Sequence, residues 1–435
     1  MKLDTKKTIF TGLAFLSICA FWQMYDNVVP LILTKTFNLN ETISGAVMAM
    51  DNLLGLFLLP FFGALSDRTN TRIGRRMPFI LGGTAVAVIL MNILPRLDNS
   101  YYAHPSGLKV AGFIGVLALL LIAMGTYRSP AVALMPDLTP KPLRSRANAI
   151  INLMGALGGI TYLLIVSLLY SSNRVGGQAH VDYSVMFAIV SAIMAVSVIV
   201  LFVKIREPKP EEAERDEGEA PERHGVSAIP KDVKRSLGLL LLSVCFWYAG
   251  YNAITTWFTT YASSVWGMAL GDSSRCLMVA TAGAVVSYIP VGALSAKIGR
   301  KKTILIGVAL LFSGFAGGIV MTELSEGFSP MLYILFAMVG LAWAAINVNS
   351  LPMVVEMCSD GDIGRFTGYY YTFSMAAQTI TPICAGWLMN HISYSTLFPY
   401  AGTFTLLAFA TMSRVRHGDS RPQAQTGIDA FDVDD

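Results

Sequence analysis

Arg128 is the only charged residue in the run 110–134, VAGFIGVLALLLIAMGTYRSPAVAL. An arginine at the centre of a membrane-length apolar segment costs about 2.5–3.5 kcal/mol on insertion scales, so it must face a polar cavity or a carboxylate. Two carboxylates lie well inside apolar runs: Asp26 in FWQMYDNVVP and Asp51 in VMAMDNLLG. One guanidinium neutralises one carboxylate and leaves the other, out of water, to bind a proton. Protonation of one acid with release of Arg128 to a substrate hydroxyl is a workable coupling scheme. We take Asp26 as the proton-binding group. Asp51 is the alternative for that role, or it caps a kink, and Arg128 has the alternative of a purely structural ion pair.

Aromatic faces that cover the C–H side of a ring, together with amides and charges that bond hydroxyls, are what a sugar site combines. Trp22 and Asp26 share one helix face by their spacing, with Tyr25 adjacent. Asn148 and Asn152 share another. Trp247 with Tyr251, and Tyr248 with Asn252, form two neighbouring stripes; Trp343 and Asn347 repeat the spacing, and Gln378 sits in an apolar run. Each aromatic has core packing or an interfacial belt as its plainer explanation. For each amide that explanation is a hydrogen bond between helices. Enzyme signatures are absent: there is no Walker A loop, GxGxxG after a strand, HExxH or GxSxG. The five histidines form no ligand cluster, so no metal, no cofactor and no catalytic residues are expected, and ATP-driven transport by this chain alone is disfavoured.

The elements that must position these residues are membrane helices. The 435 residues are 54% hydrophobic and 14% charged, against about 25% charged in soluble domains. Twelve apolar stretches of spanning length recur, near 8–33, 42–66, 77–95, 109–136, 146–170, 182–205, 237–262, 272–296, 302–322, 330–356, 364–390 and 394–414. In lipid such spans must be helices. The net charge of +4 is no nucleic-acid signature; its placement matters more. Lys35, Arg96, Lys109, Arg174 and Arg275 fall in alternate loops and Arg128 within a span, while every other Lys and Arg falls in the tails and the remaining loops. That bias puts both termini and the central loop in the cytoplasm. The expected outer pieces are 96–109 and 171–183. The scattered cysteines read as small buried residues, and the first apolar run, which contains Asp26, reads as a retained helix rather than a signal peptide.

A charged hairpin, GALSDRTNTRIGRRMPFI at 63–80, returns as GALSAKIGRKKT at 292–303. ALMPDLTP and SLPMVVE follow their hairpins at similar distances, which makes Asp137 and Glu356 equivalent helix ends. The chain therefore divides into a six-helix bundle (1–205), a polar linker rich in Pro and Glu (206–236), a second six-helix bundle (237–415) and a disordered tail (416–435). Duplicated bundles of this kind belong mostly to transporters, with a substrate site at the bilayer midplane between the repeats. The glycine groups Gly155, Gly158, Gly159 and Gly314, Gly317, Gly318 read as close helix packing.

The hairpin resembles the signature loop of the major facilitator superfamily. Gly55, Pro60, Gly63, Ser66, Asp67, Arg68, Arg72, Gly74, Arg75, Arg76 and Pro78-Phe79-Ile80 resemble the sucrose/proton symporters and the wider glycoside–pentoside–hexuronide:cation symporters. Pro130, Ala133-Leu134, Asp137-Leu138, Arg146 and Asn148 fit the sucrose-type fourth helix and the turn after it. The resemblance implies an all-α major facilitator fold of twelve spans in two pseudo-symmetric bundles. It also implies that Asp67, Arg68, Arg72, Arg75 and Arg76, with Asp137 and Glu356, form ion pairs closing a cytoplasmic gate; simple topology-setting is the alternative. The chain departs from the pattern at three places. Gly55 and Leu59 stand where melibiose-type carriers hold sodium-binding carboxylates, Val132 where plant sucrose carriers have an arginine, and Ala296 where the first hairpin has Asp67. The function expected is proton-coupled uptake of a small glycoside or disaccharide by alternating access, in a monomer of the bacterial inner membrane whose partners are that substrate and lipid. The alternatives are a lipid or drug carrier of the same fold and, further off, a membrane sugar sensor.

Overall fold

The computed structural model describes residues 3–140, 143–207, 230–325, 327–357 and 363–419. Among them every regular element is helical: α1 (Thr5–Leu31), α2 (Glu41–Met48), α3 (Met50–Asp67), α4 (Met77–Ala103), α5 (Gly107–Leu138), α6 (Arg144–Leu169), α7 (Ser172–Val175), α8 (Ser184–Lys204), α9 (Lys231–Val265), α10 (Leu270–Ile298), α11 (Arg300–Leu324), α12 (Met331–Val355), α13 (Ile363–His391) and α14 (Leu397–Ser413). Ten segments are long and apolar enough to cross a membrane. The last two expected spans correspond to α13 and the 17-residue α14, helices that fall outside that set. Apolar side chains such as Phe57, Leu119, Leu168 and Ile199 stand exposed on the helices, as contact with lipid requires.

The described residues fall into two compact units. The first holds α1, α3 to α8 and the short stretch Ala269–Asp272; the second holds α2 and the remaining helices. In the first unit α1 packs on α6 and α8, α4 on α5 and α8, and α3 on α5. In the second, α9 packs on α13 and α14, and α11 on α12 and α14. The α10–α12 contact is close enough that a Cβ on Gly340 would stand 3.0 Å from the Ala284 nitrogen. The pairing rule thus repeats along the chain. In both units small residues set the approach: a Cβ on Gly158 of α6 would lie 2.8 Å from Leu16 Cα of α1.

The structure corrects several expected boundaries. α4 continues to Ala103, so most of the outer loop expected at 96–109 is helical. Those extra turns are held from outside, because Asn99 Nδ2 donates to Asp182 Oδ1 at 2.8 Å and His180 Nε2 lies 2.8 Å from Asn99 Oδ1. Burial opposes ionisation of Asp182, but hydrogen bonds from Asn99 and Ser184 outweigh it and hold this carboxyl below the usual carboxylate range. α9 begins at Lys231, inside the stretch expected as linker, and Glu207 is packed onto the first unit. Residues 416–419, expected in the tail, are packed on the second unit: His417 Nδ1 lies 2.8 Å from Ser236 Oγ. The rest of the expected linker and tail lie outside the described residues. Of the cysteines only Cys276 is buried; Cys19 and Cys245 are half-buried, Cys384 is exposed, and Cys358 lies outside the described residues.

Candidate functional site

Pro30 has no N–H, so the Asp26 carbonyl loses its usual donor one turn earlier, and α1 ends just beyond in a π turn at Ile32–Thr36. Asp26 therefore sits where the first helix is weakened. Arg128 is placed opposite by the residues on either side of it. Tyr127 bonds Ser17 Oγ at 2.7 Å and donates to Ala14 O at 3.0 Å, tying α5 to α1. Ser129 Oγ donates to Leu59 O at 2.7 Å, tying α5 to α3. Arg128 is thereby presented between the helix of Asp26 and the helix of Asp51.

Its guanidinium stands 5.7 Å from the centroid of the Trp22 ring, a cation–π contact. Among the described residues no carboxylate oxygen comes within the 4.0 Å of an ion pair with it. Asp51 is nevertheless in its field, and Asp26 in turn lies in the field of Asp51. Asp51 Oδ1 accepts from Asn52 Nδ2 at 2.8 Å. Tyr25 is buried with its ring edge-on to Trp22 at 5.5 Å. Trp22, Tyr25, Asp26, Asp51 and Arg128 are thus brought together within one unit. Asn148 and Asn152 lie half-buried on α6, each with interactions of its own. Near Asp26, Asn27 donates to Gln23 O at 2.5 Å.

In the second unit, Tyr251 stacks on Trp343 with ring centroids 3.7 Å apart and planes within 7°. Tyr248 meets Trp343 edge-on at 5.2 Å. Its hydroxyl lies 3.4 Å from that of Tyr370, which bonds Ser350 Oγ at 2.8 Å. Asn347 is buried. Asn252 has a buried Oδ1 without a hydrogen-bond partner among the described residues. Gln378 Nε2 makes a long bond, 3.4 Å, to Ser374 O. Trp247 departs from the expectation: it is wholly buried in the core, outside the ring cluster. The first stripe on α9 is thus divided: Trp247 goes to the core, while Tyr251 joins Tyr248 of the second stripe at Trp343, both tyrosines half-buried.

The charged hairpins form a third region. Arg76 donates from Nε to Asp137 Oδ2 at 2.9 Å, pairs with Asp67 at 2.5 Å and bonds Ser66 Oγ at 2.6 Å. Arg75 takes the other oxygen of Asp137 at 2.8 Å. Glu207, its side chain 1% exposed, accepts from the backbone N–H groups of Arg76 (2.9 Å) and Met77 (3.2 Å) at the start of α4, where a helix N-terminus favours an anion. Arg68 and Arg72 stand exposed beside this cluster. In the second hairpin Arg300 pairs with Glu356, and Asp419 accepts from Lys301 N at 2.8 Å at the start of α11. Each hairpin turns through a glycine at positive φ, Gly74 (+112°) and Gly299 (+93°). In each, the capping acid fills the space a Cβ would need: Glu207 Cδ would lie 2.6 Å from one, Asp419 Oδ1 2.9 Å from the other. Every bond described here is internal to one unit. Glu207, Asp419, Arg300 and Tyr370 are the members that sequence reasoning missed.

Comparison with known proteins bears on the family and the fold. The Major Facilitator Superfamily matches residues 11–321 and 276–429. A sucrose transport protein of Arabidopsis thaliana is 31% identical over 140 residues, 29% of this chain and 23% of the relative. The general alpha-glucoside permease of Schizosaccharomyces pombe is 26% identical over 218 residues, 47% of this chain and 39% of the relative. The chain thus spans less than half the length of these sugar carriers. An uncharacterized MFS-type transporter of Methanocaldococcus jannaschii is 22% identical over 89% of both chains. The fold is shared with the nucleoside transporter NupG, at TM-score 0.68 and 15% identity over 94% of this chain and 99% of that one. It is shared also with a POT family transporter in complex with 5-aminolevulinic acid, at TM-score 0.69 and 10% identity over 93% and 95%. With the family's pattern running through both repeats, this multi-pass membrane transporter belongs to the Major Facilitator Superfamily.

Proposed function

We propose that the transporter takes up a small glycoside or disaccharide together with a proton, by alternating access. The observation that carries this reading is Arg128 lying over Trp22 with two acids, Asp26 and Asp51, in the same buried neighbourhood. One guanidinium cannot balance two carboxylates, and the missing positive charge is one a proton supplies. Asp26 is our proton-binding group and Asp51 its neighbour. Protonation relaxes the demand on Arg128, whose five N–H donors then serve a sugar hydroxyl. The rings of Trp22, Tyr251 and Trp343 and the amides Asn148, Asn152, Asn252, Asn347 and Gln378 are of the types that bind sugars. The relatives named for sucrose and alpha-glucosides favour that substrate class. In this reading both termini are cytoplasmic in a bacterial inner membrane, the carrier works as a monomer, no cofactor is required, and the hairpin ion pairs bias its conformational populations.

The test uses purified protein in proteoliposomes with an imposed pH gradient, acid outside, and radiolabelled sucrose and maltose as probes. A thermal-shift screen of mono- and disaccharides at two pH values, with and without sodium, precedes it and widens the panel. Wild type is expected to accumulate a sugar uphill. Asp26→Asn is expected to retain sugar exchange and lose uphill accumulation. Uphill uptake surviving in Asp26→Asn, or a sodium requirement in place of the pH gradient, would overturn the coupling assignment.

A further inference from the structure

Tyr162 lies on α6, fully buried, and its hydroxyl has no hydrogen-bond partner among the described residues. A buried phenol left in this condition is destabilising, and a phenylalanine would fill the same volume without the cost. Other buried tyrosines of this unit are satisfied: Tyr127 bonds Ser17 and Ala14 O, and Tyr170 donates to Asp182 O at 3.1 Å.

The helix register shows which group is at hand. α1 and α6 run parallel in their contact, with Gly12 against Met154, Gly155 against Cys19 and Gly159 against Gln23. Continuing both helices by three residues from the Gln23–Gly159 level brings Asp26 level with Tyr162. Tyr162 lies in the field of the Tyr183 and Tyr170 phenols and, after them, of Asp26, the one carboxyl among the three. The other titratable or charged groups around Asp26 are Tyr25 on its own helix, Asp51 on α3 and Arg128 on α5. α8, also packed on α1, brings only Lys204 at its far end. Of these, Asp51 as a carboxylate can only accept and Arg128 can only donate. A tyrosine hydroxyl donates to a carboxylate and accepts from a carboxylic acid, so it suits a partner that changes protonation state.

We propose that Tyr162 is a positioning residue for the proton step, its hydroxyl bonding the Asp26 carboxyl as that acid gains and loses its proton. The inference rests on the reading of Asp26 as the proton-binding group, and the test separates the two. Infrared difference spectra of the purified full-length protein between acid and alkaline buffer read protonated carboxyl bands without any substrate. Asp26→Asn is expected to remove one titrating band; if it removes none, the reading of Asp26 falls. With that band assigned, Tyr162→Phe is expected to move its midpoint by about one pH unit, tenfold in proton equilibrium, to higher pH, because a phenolic donor favours the ionised form. The melting temperature of Tyr162→Phe should hold or rise. Tyr170→Phe, which removes a phenol already bonded to the Asp182 carbonyl, should lower the melting temperature and leave the midpoint in place. An unmoved midpoint in Tyr162→Phe, with the Asp26 band present, would overturn the proposal while leaving the Asp26 reading intact.

Discussion

In the first hairpin the guanidinium of Arg76, its side chain 6% exposed, is shared between Asp67 and Asp137, Arg75 holds the remaining oxygen of Asp137, and Glu207 sits under the start of α4. In the second hairpin Arg300 meets Glu356 at 17% and 30% exposure, Ala296 stands where Asp67 does, and Lys301 stands where Arg76 does. Among the described residues the Lys301 ammonium reaches the Ser413 carbonyl, at 2.9 Å, and no carboxylate. A lysine has no fork to bridge two carboxylates. The turn geometry and the capping acid have been kept in both copies, while the guanidinium shared between two aspartates belongs to the first. Duplication has thus preserved what the backbone needs and let the charges diverge. An interlocked, partly buried network loses much when one member goes, because the others are left without partners. A pair partly open to solvent loses less.

Unfolding of the purified protein in detergent, followed by circular dichroism, sharpens or breaks this contrast. The largest effect belongs to Asp137→Ala, which takes a carboxylate from both Arg75 and Arg76 and leaves Arg76 with Asp67 alone; it is expected to destabilise by about 3–5 kcal/mol. Glu207→Gln keeps an acceptor at the α4 N-terminus but removes its charge, for an expected loss of about 1–2 kcal/mol. Glu356→Gln should cost about 1 kcal/mol or less, since its pair is partly open to solvent. Smallest of all is Ala296→Asp, which supplies the acid missing from the second copy and should change stability by no more than about 0.5 kcal/mol. A Glu356→Gln variant as damaged as Asp137→Ala would erase the contrast. A strongly stabilised Ala296→Asp would show that the second hairpin retains the geometry for a network and lacks only the residue.

The hairpins were legible because a charged pattern between apolar runs is conspicuous, and its second copy at a matching distance from Glu356 confirmed the register. The capping acids were not. Glu207 and Asp419 bond backbone N–H groups, which leave no trace in residue type, and both lie in polar stretches that read as solvated. On α1 the spacing rule placed Trp22 beside Asp26 correctly, yet nothing in the sequence told that Arg128 would meet the indole face instead of an acid. Periodicity on α9 yielded two aromatic stripes of equal merit. Packing cut across them, sending Trp247 into the core and its stripe partner Tyr251, with Tyr248, to Trp343. The extra turns of α4 were hidden for a similar reason, since they depend on Asn99 meeting Asp182 and His180, residues far away in the chain.

Glu207 lies just upstream of the Pro- and Glu-rich stretch, and α9 starts just downstream of it, at Lys231. A gene interrupted anywhere between codons 208 and 229 would therefore yield two polypeptides that each retain the acid seated behind their own glycine turn. Moving the interruption a few codons earlier, ahead of 207, would strip the first fragment of its cap and leave the second untouched. Co-expression of such split genes makes the placement of a single carboxylate readable as the survival of one fragment.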